Sequence, residues 1–391
     1  MKRLLALILL LSILTGCGLL PTEHISITQH ADPDSQTGTG DEAEAKDYES
    51  LRNVIYSFVR NGKTEGTILI NRYDGDVESD LTKATYEVSK LDPLGAYAVD
   101  YMTHDCVRLV SYYQVSVHIT FRRTKADMDA IRIANSDPHL KLLVQNAVQQ
   151  SSSRLTLRLS HYAGQDPAAI AAEYIAANPE LVMEDPQVSV TLYPEIGSDR
   201  IMEIQFQYSH TEAQLEAMRR AVQQSLAAAA EYIRYRETEA EKADLLYTYL
   251  TERFSYQQAE TVTPLHDALC VGIADPEGLA MAWQLICSRA GMECWLVEGL
   301  RAGVPHSWNI IRLGEQYRHV DLTRCMLELD GLTLWADDDM VDYYWNPEGL
   351  PVCLPEEEPE PPVSEDGEPV PEENEVPVDA EPSDGESEEQ P

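Results

Sequence analysis

Two stretches of this chain follow one plan at a fixed offset, and a duplication of that kind limits the fold more than any single motif. Between Ser116 and Arg132 alternating side chains give way to a helical pattern, and Glu203 to Arg219 repeats the change. Upstream, residues 67–75 and 154–164 form a second matching pair, so the offset stays close to 87 to 89 residues. Val115, Val117, Ile119 and Phe121 show the period of a half-buried strand. The first copy reads as a helix over 51–61, a strand over 67–73, a helix over 77–91 and a strand pair up to Arg122. The expectation is two tandem small α+β modules, residues 48–135 and 136–235. No chemistry is visible in them: His118, His161 and His210 are isolated. A repeated module on a surface-anchored protein spaces or binds, by association with other folds only.

The two ends of the chain are unlike this middle. Lys2 and Arg3 precede an apolar run from Leu4 to Leu14, too short to span a bilayer. The run stops at Leu14, Thr15, Gly16 and Cys17, which resembles a bacterial lipobox; an ordinary secretory signal with a chance cysteine is the other reading. A lipobox implies a signal peptide over 1–16, cleavage before Cys17, and a membrane attachment through lipid on that thiol, which takes more than one acyl chain to be stable. The chain would then sit on the outer face of the bacterial cytoplasmic membrane. Residues 17–47 are polar and poor in large apolar groups, which reads as a lipid-anchored flexible tether. Residues 355–391 contain 16 acidic side chains and no Lys, Arg or aromatic residue, the composition of a disordered acidic Pro/Glu-rich tail. Binding of calcium or of a cationic wall is the other reading of that run. Setting aside those 16 of the 67 acidic residues, and Lys2 and Arg3 of the 29 basic ones, leaves 51 against 27. Nucleic acid is excluded as a partner, because phosphate binding needs clustered Lys and Arg.

Beyond Cys17, the cysteines are Cys106, Cys270, Cys287, Cys294, Cys325 and Cys353. An exported chain permits disulfides, so one or two bridges are expected in the last domain, their pairing open. No Cys-x-x-Cys or His-x-x-x-His spacing occurs, and neither a metal site nor a cofactor is expected.

The last domain, residues 236–354, carries the ordered motifs. They are Tyr247, Tyr249, Leu250 and Tyr256; Asp267, Ala268, Leu269 and Gly272; Glu277, Gly278, Leu279 and Ala280; Gly291 to Cys294; His306, Ser307, Trp308 and Asn309; and Tyr317 to Thr323. In order and spacing they resemble the core of the transglutaminase-like (papain-related) superfamily. The resemblance covers less than a third of the chain, and it implies a papain-like α+β domain using a Cys-His-Asp triad. Counting back without gaps from Gly291 places the nucleophile at Pro276. Proline suits the first turn of a helix, where its missing N–H has no partner, and Asp275 before it is a good N-cap. The position has the backbone of the family's site and lacks its thiol.

His306 and Asp321 remain as the rest of the triad. A hairpin turning at Leu313-Gly314 would set Asp321 directly opposite His306, where a carboxylate orients the imidazole. His319 is assigned to packing, and Cys287 and Cys294 to the core. Cys325 is a candidate to bridge to Cys270 or Cys353. Cys270 is the alternative nucleophile, if its loop folds back toward the cleft. The expected function is therefore binding or scaffolding at the cell surface by an inactive domain, with an envelope protein, peptide or cell-wall component as ligand. The alternative is a cysteine-type hydrolase or acyltransferase using Cys270, His306 and Asp321.

Overall fold

The computed structural model describes residues 42–253, 257–328 and 331–355. The signal segment, Cys17, Tyr256 and the acidic run after Pro355 lie outside the described residues. The chain has mixed α/β architecture with several separate sheets. It divides into two compact units, one of residues up to 130 with Tyr193–Ile196, the other of residues 131–192 with the remainder after 196.

The first unit runs β1 (Glu42–Glu44), α1 (Tyr48–Arg60), β2 (Glu65–Ile70), α2 (Val77–Tyr86), α3 (Pro93–Ala98), β3 (Val99–Arg108), β4 (Tyr113–Phe121) and a short α4 (Lys125–Asp129). Each of the first three helices starts on an aspartate that accepts backbone N–H groups: Asp47, Asp76 and Asp92. Leu51, Ile55, Phe58 and Val59 on α1 recur every three to four residues and are buried, as are the alternate positions Ile68 and Ile70 of β2 and Val115, Val117 and Ile119 of β4. Gly66 lets the two layers meet, since a Cβ there would stand 2.2 Å from the Phe58 ring. The strand order is β1-β2-β4-β3, with β1 parallel to β2 and the other pairs antiparallel.

Two expectations shift here. The tether was expected to reach residue 47, but Glu42, Ala43 and Glu44 pair with Thr67, Ile68 and Leu69 as an edge strand. Three residues with two glutamates show no hydrophobic alternation to read. The helix expected over 77–91 widens into a π-helical turn over Glu87–Leu91 before Asp92 caps the next helix.

The second unit opens with β5 (Arg132–Ala134), α5 (Asp137–Gln149), β6 (Arg154–Leu159), α6 (Pro167–Ala177), β7 (Gln187–Tyr193) and β8 (Arg200–Gln207). These strands lie in the order β5-β6-β8-β7, with β5 parallel to β6 and β6 antiparallel to β8. Next come α7 (Glu212–Tyr232), α8 (Glu239–Arg253), β9 (Gln257–Gln258), α9 (Pro264–His266), β10 (Ile273–Ala274) and α10 (Pro276–Arg289). The unit ends with β11 (Cys294–Arg301), β12 (Val304–Leu313), β13 (Gln316–Val320), α11 (Leu322–Glu328) and β14 (Tyr343–Trp345), whose sheet order is β13-β12-β11-β14. Leu215, Val222, Leu226 and Ala229 of α7 share one core with Leu246 and Leu250 of α8 and with Leu279, Trp283, Ile286 and Cys287 of α10. The helix expected to close the second module thus gives its apolar face to the C-terminal core. Among the described residues no helix is long and apolar enough to cross a membrane.

Candidate functional site

Pro276 is the first residue of α10, and the Asp275 carboxylate accepts the Gly278 N–H at 2.7 Å. The helix therefore starts as proline at its first position allows. Gly278 admits a close crossing, because a Cβ there would lie 2.6 Å from the Pro264 carbonyl oxygen. The direction of α10 over its sheet follows from the chain path and one hydrogen bond. At the helix end, the Met292 N–H returns to the Cys287 carbonyl at 2.9 Å, and Cys294, two residues on, pairs with Ile311. In the middle, Asn309 Nδ2 donates to the Ala280 carbonyl at 3.0 Å. Pro276 lies four residues before Ala280 on the helix, and His306 three residues before Asn309 on the strand. The first turn of α10 and His306 thus lie toward the same end of one helix–strand junction.

His306 and Asp321 are in direct contact, Nε2 to Oδ2 at 2.7 Å. A neutral imidazole donating from Nε2 leaves Nδ1 as its basic nitrogen. Asp321 is fully buried and also accepts from Tyr343 Oη at 2.7 Å and the Arg324 N–H at 3.1 Å, with Arg301 Nη1 at 3.5 Å. Burial pushes its carboxyl up, but His306, Tyr343 and the Arg324 amide outweigh it and hold the group below the usual carboxylate range. Burial, then the charge of Asp321, raises the Tyr343 phenol, so Tyr343 is a donor at neutral pH. Gly299 makes room for this cluster: a Cβ there would stand 2.3 Å from the Tyr344 carbonyl and 2.9 Å from the Trp308 ring.

The register that joins the pair differs from the expected one. Leu313 pairs with Gln316 and Asn309 with Val320, so the hairpin turns at Gly314-Glu315, one residue later, where Gly314 takes φ +63°. That moves the partner of every β12 residue by two, and Asp321 falls just past the last paired residue. It reaches His306 because it also caps α11, where its Oδ1 accepts the Arg324 N–H.

His319 does more than pack. It is fully buried; Trp308 Nε1 donates to its Nδ1 at 3.0 Å, and its Nε2 lies 2.8 Å from Asp337 Oδ1. The indole N–H can only donate, so the neutral ring carries its proton on Nε2 and donates to Asp337. Burial lowers the His319 pKa against the opposing pull of Asp337. His319, Asp337 and Cys353 bring three metal-capable atoms within 4.8 Å of one another. A metal on Nε2 would have to displace its proton while Trp308 still occupied Nδ1, so the Trp-His-Asp chain is complete without an ion.

Cys270 sits in the π-helical turn Asp267–Val271, with its Sγ 3.8 Å from Ser225 Oγ of α7. Its neighbours are Ser225, Tyr249 and Asp267, and neither His306 nor Asp321 is among its hydrogen-bond partners. Burial, partly offset by Ser225, raises its pKa, the opposite of what a thiolate nucleophile needs. Cys325 lies against the backbone of Thr333 and is pushed up to about 11, and Cys353, beside Asp337, to about 12. At pH 7 iodoacetamide should therefore label Cys270, Cys325 and Cys353 more slowly than an unstructured peptide thiol, as peptide mapping over time would register. Tyr343 and Arg301 could not be found from sequence, since no spacing ties them to His306.

No family model matches the chain, and no curated protein matches it. Among solved structures it is similar to a TGase, at 12% identity and TM-score 0.24 over 56% of this chain and 63% of that one. It is also similar to a candidate protease from Parabacteroides distasonis, at 8% identity and TM-score 0.22 over 66% of this chain and 43% of that one. A third is a candidate cysteine protease from Cytophaga hutchinsonii, at 12% identity and TM-score 0.24 over 41% of this chain and 71% of that one. The chain thus spans less than two thirds of the first two, and TM-scores of this size carry no argument. The case for the site rests on the chain's own residues.

Proposed function

We propose that this chain is an envelope-anchored lipoprotein whose C-terminal domain is a transglutaminase-like pseudoenzyme, acting by binding or scaffolding at the outer face of the cytoplasmic membrane. The observation that carries the proposal is Pro276 at the first position of α10, toward the end of the helix–strand junction where His306 hydrogen-bonds Asp321. The helix start, a base and its orienting carboxylate are present, and the residue at the nucleophile position cannot form a thioester. Retention of His306 and Asp321 has a structural reason, because the buried carboxylate holds β12, α11 and β14 together through His306, Arg324 and Tyr343. The duplicated modules are read as spacers or binding units. The shared order and directions of β1-β2-β4 and β5-β6-β8 support the duplication. An envelope protein, a peptide or a cell-wall component is the ligand class.

Iodoacetamide labelling of purified protein at neutral pH tests the absence of catalysis. Slow labelling of Cys270, the same in His306→Ala, is expected; rapid labelling abolished by His306→Ala would install Cys270 as nucleophile and overturn the pseudoenzyme. Anchoring has its own test. Cys17→Ser should move the protein from the membrane fraction to the medium or leave an uncleaved precursor. Fully processed, membrane-bound Cys17→Ser protein would remove the lipid assignment.

A further inference from the structure

We infer that Cys287 and Cys294, both free thiols in the structure, close on oxidation to a disulfide that staples the end of α10 to the start of β11. The local chain path brings them together. Met292 N–H donates to the Cys287 carbonyl at 2.9 Å, and Gly291 at φ +74° turns the chain back on itself, a left-handed position that glycine takes without strain. Two residues later Cys294 begins β11 and pairs with Ile311. Both side chains enter the same core, Cys287 fully buried and Cys294 packed against it. The remaining C-terminal cysteines are committed elsewhere: Cys270 to Ser225, Cys325 to the Thr333 backbone, and Cys353 beside Asp337. Burial, and then the neighbouring Cys287 thiol, raise Cys294 well above a free thiol, so exchange is slow and the finished bond is shielded.

The reaction needs an oxidised small or protein disulfide. The thiolate of Cys294, the less buried of the two, attacks that disulfide and releases one thiolate. Cys287 then attacks the Cys294 sulfur and releases the second. The two cysteine protons pass to the two leaving thiolates, so two thiols and one disulfide become one disulfide and two thiols. Closure in the cell depends on the exported location proposed above. The test uses purified protein, so a failure of this geometry is separate from a failure of that location.

Full-length chain is incubated with oxidised glutathione at about pH 8.5, alkylated without reduction, digested and mapped by mass. The expected result is a cross-linked pair of peptides carrying Cys287 and Cys294, lighter than the two thiol peptides by two hydrogen atoms. The oxidised chain should also melt on the order of 5–10 °C above the reduced one, a difference that dithiothreitol removes and that is absent from Cys287→Ala/Cys294→Ala. Recovery of both residues alkylated, each carrying glutathione, or either joined to another cysteine would overturn the assignment. Should the double variant not fold, the peptide map of the unmodified sequence decides alone.

Discussion

Asp321→Ala is expected to destabilise the C-terminal unit by about 3–5 kcal/mol, the usual cost of removing one partner from a buried charged network. The carboxylate is fully buried and receives His306, Tyr343 and the Arg324 amide, with Arg301 close by. Alanine leaves those donors without an acceptor, in a space too enclosed for water to replace every bond. For a unit of this size each kcal/mol moves the melting temperature by roughly 2–4 °C, so a fall on the order of 10 °C should appear in a thermal melt followed by circular dichroism. The pH dependence has a definite sign. The folded pKa of Asp321 is depressed, so its contribution is complete above the unfolded carboxylate value of about 3.9 and is lost as pH falls through the lower folded value. The gap between wild type and Asp321→Ala should be present throughout the neutral range and narrow in strong acid, where the carboxylate is protonated. A variant that melts within about 1 °C of wild type at neutral pH would mean that the cluster around Asp321 is not formed.

How much of the fold and the site is legible in the sequence depends on range. Local signals carried well. Proline at position 276 behind Asp275 specifies the start of α10 by backbone chemistry alone, and the alternation through Val115, Val117 and Ile119 marks β4 because one face must be dry. The contact between His306 and Asp321 was also anticipated, although through a hairpin register wrong by two. A single-residue error in placing a turn shifts every partner by two, and Leu313-Gly314 and Gly314-Glu315 look alike in sequence because each contains the one glycine. What escaped was long range or unpatterned. Tyr343 reaches Asp321 from 22 residues away. The link from Trp308 through His319 to Asp337 depends on ring orientations that no periodicity encodes. Glu42–Glu44 joins a sheet through backbone pairing, to which the glutamate side chains give no clue.

Pro276→Cys should create the most reactive thiol in the molecule. The replacement restores an N–H that lies among the unpaired donors of a helix start, so the fold loses little beyond the rigidity of proline. Free N–H groups and the positive end of the helix dipole favour the thiolate, and His306 Nδ1, freed by the bond from Nε2 to Asp321, is the basic atom that would take the proton. The surroundings oppose this in part. Partial desolvation, then the charges of Asp275, Asp185 and Glu298, raise the pKa of the adjacent Glu277, so the new thiol would share a negative field. The helix start acts directly on a thiol in its first turn, whereas exposed carboxylates are screened by water and salt, so the balance favours a depressed thiol pKa. Alkylation by iodoacetamide at about pH 6 should run at least on the order of tenfold faster than at any native cysteine, a ratio that corresponds to one pKa unit of thiolate. Adding Glu277→Gln removes one opposing charge and should raise the rate again, while His306→Ala should lower it. If the new thiol reacts no faster than the native ones and neither second substitution changes its rate, Pro276 and His306 do not converge, and the nucleophile position must be sought elsewhere in the domain.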